Sequence, residues 1–297
     1  MYNSESIIRL LLEQGADIEA KDNNGETPLY FATTHCFRRI MEAKYYDDPM
    51  NHTKAALRFA AIYVQSDSES IIRLLLEKGA DIETKDKNGE TPLYFAVRHN
   101  HIEHIVRLLL EKGADIEAKN RYGETPLFIA VRLYRAPIVQ LLLEKGANVE
   151  PKNDDGETPL FVAIKESSEL ITRLLLEKGA DIETKDNGDE TPLFAAVKRG
   201  YEPIVRLLLD KGANTEARNV FNKTPLFVAA GKNNEPIARL LLEKGADLNV
   251  EDEDGCSPLN LMSDELKCKL GLSGAEDDSP KAEDNQELEV ESVVASD

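Results

Sequence analysis

The chain has 297 residues, enough for two ordinary domains or one extended repeat array. Its formal net charge of −19 opposes non-specific attraction to nucleic acid or to an anionic membrane. Its apolar runs are far shorter than the roughly 20 residues that span a bilayer. Residues 1–20 show no basic start followed by an apolar stretch, so they do not read as a secretory signal. Three unpatterned cysteines (Cys36, Cys256, Cys268) read as reduced thiols, which points to the cytosol or nucleus.

In chain order, residues 1–21 carry one amphipathic helix and half a turn region, a half-repeat in which Ile7, Ile8 and Leu11 lack a preceding unit. The tripeptide Thr-Pro-Leu then begins at Thr27, Thr91, Thr125, Thr158, Thr191 and Thr224, and recurs as Ser-Pro-Leu at Ser257. The steps are 64, 34, 33, 33, 33 and 33 residues, and each copy follows a variant of Leu-Leu-Leu-Glu-Lys-Gly-Ala-Asp-Ile-Glu. A fixed period of this length marks a repeat array.

Each part of the unit has a physical reason. Thr before Pro is a helix N-cap followed by the first helical position, where the missing N–H costs nothing. A short first helix follows, as in Pro92-Leu-Tyr-Phe-Ala-Val. A second helix carries its apolar residues at helical spacing, as in Ile105, Val106, Leu108, Leu109 and Leu110, and Pro137, Pro203 and Pro236 fall in its first turn. Gly113, Gly146, Gly179, Gly212 and Gly245 end it in a left-handed cap. A polar finger then leads to the next Thr through a turn such as Asp86-Lys-Asn-Gly89.

The 64-residue step predicts a degenerate repeat pair at 22–85. Ala56-Leu57-Arg58-Phe59-Ala60-Ala61 echoes Pro92-Leu93-Tyr94-Phe95-Ala96-Val97, so helices are expected near Cys36–Tyr46 and Lys54–Gln65. Residues 252–272 form a shortened terminal cap with Ser263 or Asp264 as an N-cap. Residues 273–297 hold nine acids and one base, a composition that predicts a disordered acidic tail.

The unit closely resembles the ankyrin repeat, whose pattern is Asp-x-x-Gly-x-Thr-Pro-Leu-His-x-Ala followed by Val-x-Leu-Leu-Leu-x-x-Gly-Ala-Asp. The resemblance covers residues 1 to about 272. It implies an all-α solenoid of stacked helix-turn-helix repeats with short β-hairpin fingers. It also implies a non-catalytic module that binds a partner protein or peptide on a concave face of finger tips and first helices. Three positions depart from the pattern. The family's His after Pro-Leu is Tyr30, Tyr94, Phe128, Phe161, Phe194 and Phe227, so an apolar stack is expected in place of an inter-repeat polar bond. The finger Gly becomes Asp189 and Asn222, residues that tolerate a left-handed backbone. Glu83, Glu117, Glu150, Glu183 and Glu216 stand where Asn is usual.

The residues give no chemistry to a catalytic reading. His99, His101 and His104 lack a supporting Cys or carboxylate at metal-ligand spacing. There is no phosphate loop and no nucleophile elbow. Cys256 follows Asp252, Glu253 and Asp254, whose charge opposes a thiolate. No cofactor, metal or small-molecule substrate is expected.

Aligned repeats show where binding would occur. A basic finger row (Lys21, Lys85, Lys119, Lys152, Lys185, Arg218) and a basic first-helix row (Arg98, Arg132, Lys165, Lys198, with Arg199 adjacent) flank an acidic row at Glu26, Glu90, Glu124, Glu157 and Glu190. These rows either pair across the groove or steer an acidic partner. The apolar residues at variable positions (Tyr122, Leu133, Tyr134, Val220, Phe221) are candidate anchors, because interface hot spots favour aromatics and Arg. The second helices repeat Arg and Glu four apart (Arg107 and Glu111, Arg173 and Glu177), which reads as a solvated face. Two rival readings are a self-assembling array joined through the N-terminal helix and a regulatory subunit that acts by inhibition.

Overall fold

The computed structural model describes residues 4–33, 68–99 and 103–272. A lone helix, α1 (Ser4–Glu13), precedes the helix pairs α2 (Pro28–Ala32) with α3 (Ser68–Glu77), α4 (Pro92–His99) with α5 (Glu103–Glu111) and α6 (Pro126–Arg132) with α7 (Ala136–Glu144). The stack continues through α8 (Pro159–Lys165) with α9 (Glu169–Glu177), α10 (Pro192–Arg199) with α11 (Glu202–Asp210) and α12 (Pro225–Gly231) with α13 (Glu235–Glu243), and closes with α14 (Pro258–Leu261) and α15 (Asp264–Leu270). First helices pack on first helices and second helices on second helices, in two layers. The core between the layers is aliphatic and phenyl-rich, with Leu93, Leu109, Phe128, Leu142, Phe161 and Leu175 fully buried.

The local signals work as their chemistry dictates. Gly113, Gly146, Gly179, Gly212 and Gly245 all adopt left-handed φ between 88 and 91°. Thr27, Thr125, Thr158, Thr191 and Thr224 have the extended backbone of an N-cap, and the hydroxyls of Thr191 and Thr224 accept the N–H groups of Phe194 and Phe227. The hydroxyls of Thr27, Thr125 and Thr158 make no such bond, so at those three starts the proline and the backbone geometry set the helix. Ser263 caps α15, and Gly271 ends it with a φ of 75°.

The fingers are turns, and no strand occurs among the described residues. This corrects the hairpin expectation, and the hydrogen bonding gives the reason. Each finger folds around one Asp or Asn whose Oδ1 accepts two backbone N–H groups, as Asp86 does from Asn88 and Glu90 at 2.8 Å. Neighbouring tips share a single backbone bond, such as Arg121 N–H to Asn88 O at 2.9 Å, which is too few to form a ladder.

The described fingers on either side of the 64-residue step are direct neighbours. Lys87 N–H donates to Asn24 O at 2.8 Å, and Asp81 N–H donates to Glu19 Oε1 at 2.8 Å. The same two bonds join the four neighbour pairs that follow, for example Arg121 with Asn88 and Asp115 with Glu83. Helix α2 packs on α3 as the first helix of its pair. The degenerate repeat pair expected at 22–85 turns on residues 34–67, which lie outside the described residues. The helices expected near Cys36–Tyr46 and Lys54–Gln65 lie outside the described residues, as does the tail from 273 onward.

Residues 4–32 and 68–96 differ only at 14/78, 20/84 and 23/87, so one sequence sits in two environments. In α3, Ile71 and Leu74 are buried at 0% and 2%, whereas their counterparts Ile7 and Leu10 in α1 are 39% and 57% exposed. Ile8, expected to lack a neighbour, is fully buried, because it faces the following repeat. With one neighbour interface where α3 has two, amides of α1 should exchange well before those of α3, although the ten residues are identical. Hydrogen exchange resolved by residue checks this, and equal protection would contradict it.

Candidate partner-binding surface

The groove is built from residues that fold first for local reasons. In seven successive fingers the first turn residue (Asp22, Asp86, Asn120, Asn153, Asp186, Asn219, Asp252) brackets two N–H groups at 2.8–3.1 Å. The second bracketed N–H belongs, in the first five, to the acidic row. Glu26, Glu90, Glu124 and Glu157 are thereby drawn into the floor and buried.

Each described first-helix base closes over the acid eight residues before it. Arg98 Nη1 reaches Glu90 Oε1 at 2.5 Å and Lys198 Nζ reaches Glu190 Oε1 at 2.9 Å, while Arg132 pairs with Glu124 and Lys165 with Glu157. These four bases are held by the fold itself, and the rows pair across the groove. Burial would lower the Arg98 guanidinium, but the Glu90 carboxylate outweighs it and holds it above its ordinary value. Glu90 itself is held above the usual carboxylate range, chiefly by burial, with Arg98 opposing. A raised folded-state pKa contributes stability below the ordinary carboxylate value and loses it as pH rises through the raised one. The variant Glu90→Gln cannot ionise, so its melting temperature should gain on wild type between pH 4 and pH 7. A shift in wild type's favour over that window would mean that the Arg98 pair dominates.

The finger row has a different job. Lys21, Lys85, Lys119, Lys152 and Lys185 each donate from Nζ to the backbone carbonyl of the next basic finger residue, at 2.8–3.5 Å. Their hydrogen-bond acceptors are neutral, and among the described residues only Lys185 of the five also has a carboxylate within 4.0 Å, that of Asp189. The departures from the family pattern also acquire roles. Glu19, Glu83, Glu117, Glu150, Glu183 and Glu216 each accept a backbone N–H from the next repeat at 2.7–3.1 Å. Polar inter-repeat bonding survives at the tyrosines, contrary to the apolar-stack expectation. Tyr30 OH donates to Thr84 O at 3.0 Å, and Tyr94 OH donates to Glu124 Oε2 at 3.2 Å while accepting Asn120 Nδ2–H at 2.9 Å. The second helices pair in the opposite direction to the one expected. Arg107 bonds Glu103 and Arg173 bonds Glu169, each the acid four residues earlier, which is the stronger orientation on a helix.

The candidate anchors are all at the surface, and they divide into two groups. Tyr122, Val220 and Phe221 are finger-tip residues, 52%, 47% and 59% exposed, and Arg121 stacks on the Tyr122 ring at 4.7 Å. Leu133 and Tyr134 follow α6 and Arg199 ends α10, all at the opposite end of the first helix from the fingers. Tyr201, which the sequence reading did not single out, is a turn residue too and is 43% exposed. Only its aromatic character at a turn position could have marked it. Arg199 donates to Lys165 O at 2.6 Å, and Tyr134 OH donates to Glu166 O at 2.7 Å, so both side chains are fixed on the neighbouring turn.

Tyr134 has a φ of 56°, and its counterparts in the other repeats are Ser167, Gly200 and Asn233. A bulky side chain in the left-handed region costs on the order of 1–2 kcal/mol, and strain of this kind gathers at functional positions.

Among the described residues no helix is long and apolar enough to cross a membrane, and no group of three or more His, Cys, Asp or Glu could hold a metal ion. Comparison with known proteins is specific. Ankyrin-repeat family models match residues 1–43, 57–153, 104–186, 137–219 and 183–252. The human B-cell lymphoma 3 protein is 33% identical over a stretch covering 32% of this chain and 22% of that protein. A Caenorhabditis elegans homologue of transient receptor potential cation channel subfamily A member 1 is 30% identical over 33% of this chain and 8% of its own length. The chain thus spans a small part of these relatives. The crystal structure of the ankyrin repeat domain of Bcl-3 superposes with a TM-score of 0.66 and 27% identity, over 84% of this chain and 99% of that one. Repeated motif, two-layer helix stack and family match agree, and the chain belongs to the ankyrin-repeat family, whose repeats are protein–protein interaction modules.

Proposed function

We propose that the chain is a non-catalytic scaffold or adaptor of the cytosol or nucleus that holds a partner protein or peptide on the concave face of its fingers and first helices. One observation carries this reading. Tyr122, Val220 and Phe221 stand exposed at finger tips; the position of Tyr122 and Phe221 is held by Asn24, Asn88, Asp155, Gly188 and Asp254 in other fingers, and that of Val220 by Asn23, Lys87, Arg121, Asp154, Asn187 and Glu253. The stack does not require apolar side chains there. The finger lysines add positive charge on an acidic chain, which suits a partner segment bearing carboxylates and at least one apolar anchor. The bases at Arg98, Arg132, Lys165 and Lys198 shape the floor through their own acids and contribute less to affinity.

Replacing Phe221 by Ala should cost about 1–3 kcal/mol of binding with little change in folding. Lys185→Glu should mainly slow association and weaken its salt dependence. A pull-down from native extract, repeated with Tyr122, Val220 and Phe221 all changed to Ala, tests the apolar contribution, and association rates measured at two salt concentrations test the charge. Undiminished capture by the triple variant would overturn the finger-tip assignment.

Self-assembly is the second reading, favoured by the exposed Ile7 and Leu10 on α1. Light scattering separates the two, since only assembly gives a mass that rises with concentration.

A further inference from the structure

The row of turns between first and second helices is a surface of its own. It carries three exposed apolar side chains within three repeats, Leu133 (38%), Tyr134 (55%) and Tyr201 (43%). Two cations share the row. Arg199 is anchored on Lys165 O at 2.6 Å, and Lys232 on Lys198 O at 2.6 Å. Both acceptors are neutral carbonyls, so anchoring orders the charges without cancelling them. Glu166, on the turn between Tyr134 and Tyr201, accepts from the Tyr134 hydroxyl at 2.9 Å. The Tyr134 phenol also lies within electrostatic reach of Arg199 and Tyr201.

The cluster is not a by-product of the stack. The position of Tyr134 needs a left-handed backbone, which Gly200 and Asn233 supply at less cost in two of the other repeats. The ring is nevertheless kept, exposed, with its hydroxyl pinned on the next turn. A rigid aromatic beside an ordered Arg is the composition of an interface hot spot.

We infer that the turn edge formed by Leu133, Tyr134, Arg199, Tyr201 and Lys232 is a second docking surface, separate from the finger groove, for an extended peptide in which carboxylates flank aliphatic side chains. Charge complementarity selects the partner, because two ordered cations beside an apolar cluster favour an acidic, aliphatic segment on a chain that otherwise repels acids. The length follows from the spacing. Packed helices lie about 8–10 Å apart, so three repeat steps span roughly 25–30 Å. An extended peptide of about eight or nine residues covers that distance at roughly 3.3 Å each.

A synthetic peptide with the sequence of residues 286–294 is a suitable probe, because Glu287, Leu288, Glu289, Val290 and Glu291 alternate carboxylate and aliphatic groups. Fluorescence anisotropy of the labelled peptide should show saturable binding to the full chain. Tyr134→Ser and Arg199→Glu should each weaken it at least tenfold. Serine is tolerated there, since Ser167 occupies the equivalent position with a φ of 61°. The double variant Tyr122→Ala/Phe221→Ala should bind the peptide as wild type does, which separates this surface from the finger groove. Binding no stronger than that of a peptide with its glutamates changed to lysine would overturn the proposal. So would binding that survives both turn-edge substitutions, or binding lost in the finger-tip double variant.

Discussion

Replacing Phe161 by alanine should destabilise the chain by about 3–5 kcal/mol, the largest single-site effect expected. Phe161 is fully buried on α8, which packs between α6 and α10 in the middle of the stack. Its ring replaces the family's histidine, and it carries no polar group whose bonding could compensate. Truncation opens a cavity at an interface between repeats, where both intrinsic repeat stability and neighbour coupling are lost. Denaturant unfolding should show the loss in the midpoint, and the slope should fall if the two halves of the array begin to unfold separately. A loss below about 1 kcal/mol would mean that the first-helix layer repacks around the void.

Gly89→Ala and Gly255→Ala should differ by more than either backbone explains. Both glycines have a φ of 74°, so the left-handed strain on an alanine, about 1–2 kcal/mol, is common to the two. Their surroundings are not common. A Cβ on Gly89 would stand 3.0 Å from the backbone nitrogen of Arg121 in the next finger, whereas a Cβ on Gly255 meets nothing within 4 Å. Arg121 cannot retreat without giving up its bond to Asn88 O, which links the two fingers. Gly89→Ala should therefore cost roughly 3 kcal/mol or more, and Gly255→Ala no more than the strain alone. Thermal melts of the two variants side by side check this, and equal losses would show that the finger contact contributes nothing.

The repeat could be read from the sequence because each of its signals acts locally. Pro at the first helical position, Gly at the left-handed cap and Leu at helical spacing each fix a few residues, and the structure uses every one as expected. Features that depend on a neighbouring repeat were harder to read. The register of the fingers is decided by long-range bonds such as Lys87 N–H to Asn24 O, which no local pattern encodes. Tyrosine in place of histidine looked like a loss of polar bonding, yet the phenol reaches the next finger because Asp86 and Asn120 wait there. At the candidate surface, charge and apolar type were readable, but the split between finger tips and turn edge was not. Leu133 and Phe221 look alike in an alignment, and only the antiparallel helix pair sends them to opposite ends of the first helix.

In the proposed function a partner protein is held on the fingers and first helices through side chains the stack does not need. Amide hydrogen exchange on the chain, alone and saturated with a captured partner, tests it most directly. A partner held there should bring new protection at residues 120–123 and 219–222 and along the adjoining first helices, with second helices α7, α9 and α11 unchanged. Protection confined to those second helices, with the finger tips exchanging as freely as before, would contradict it.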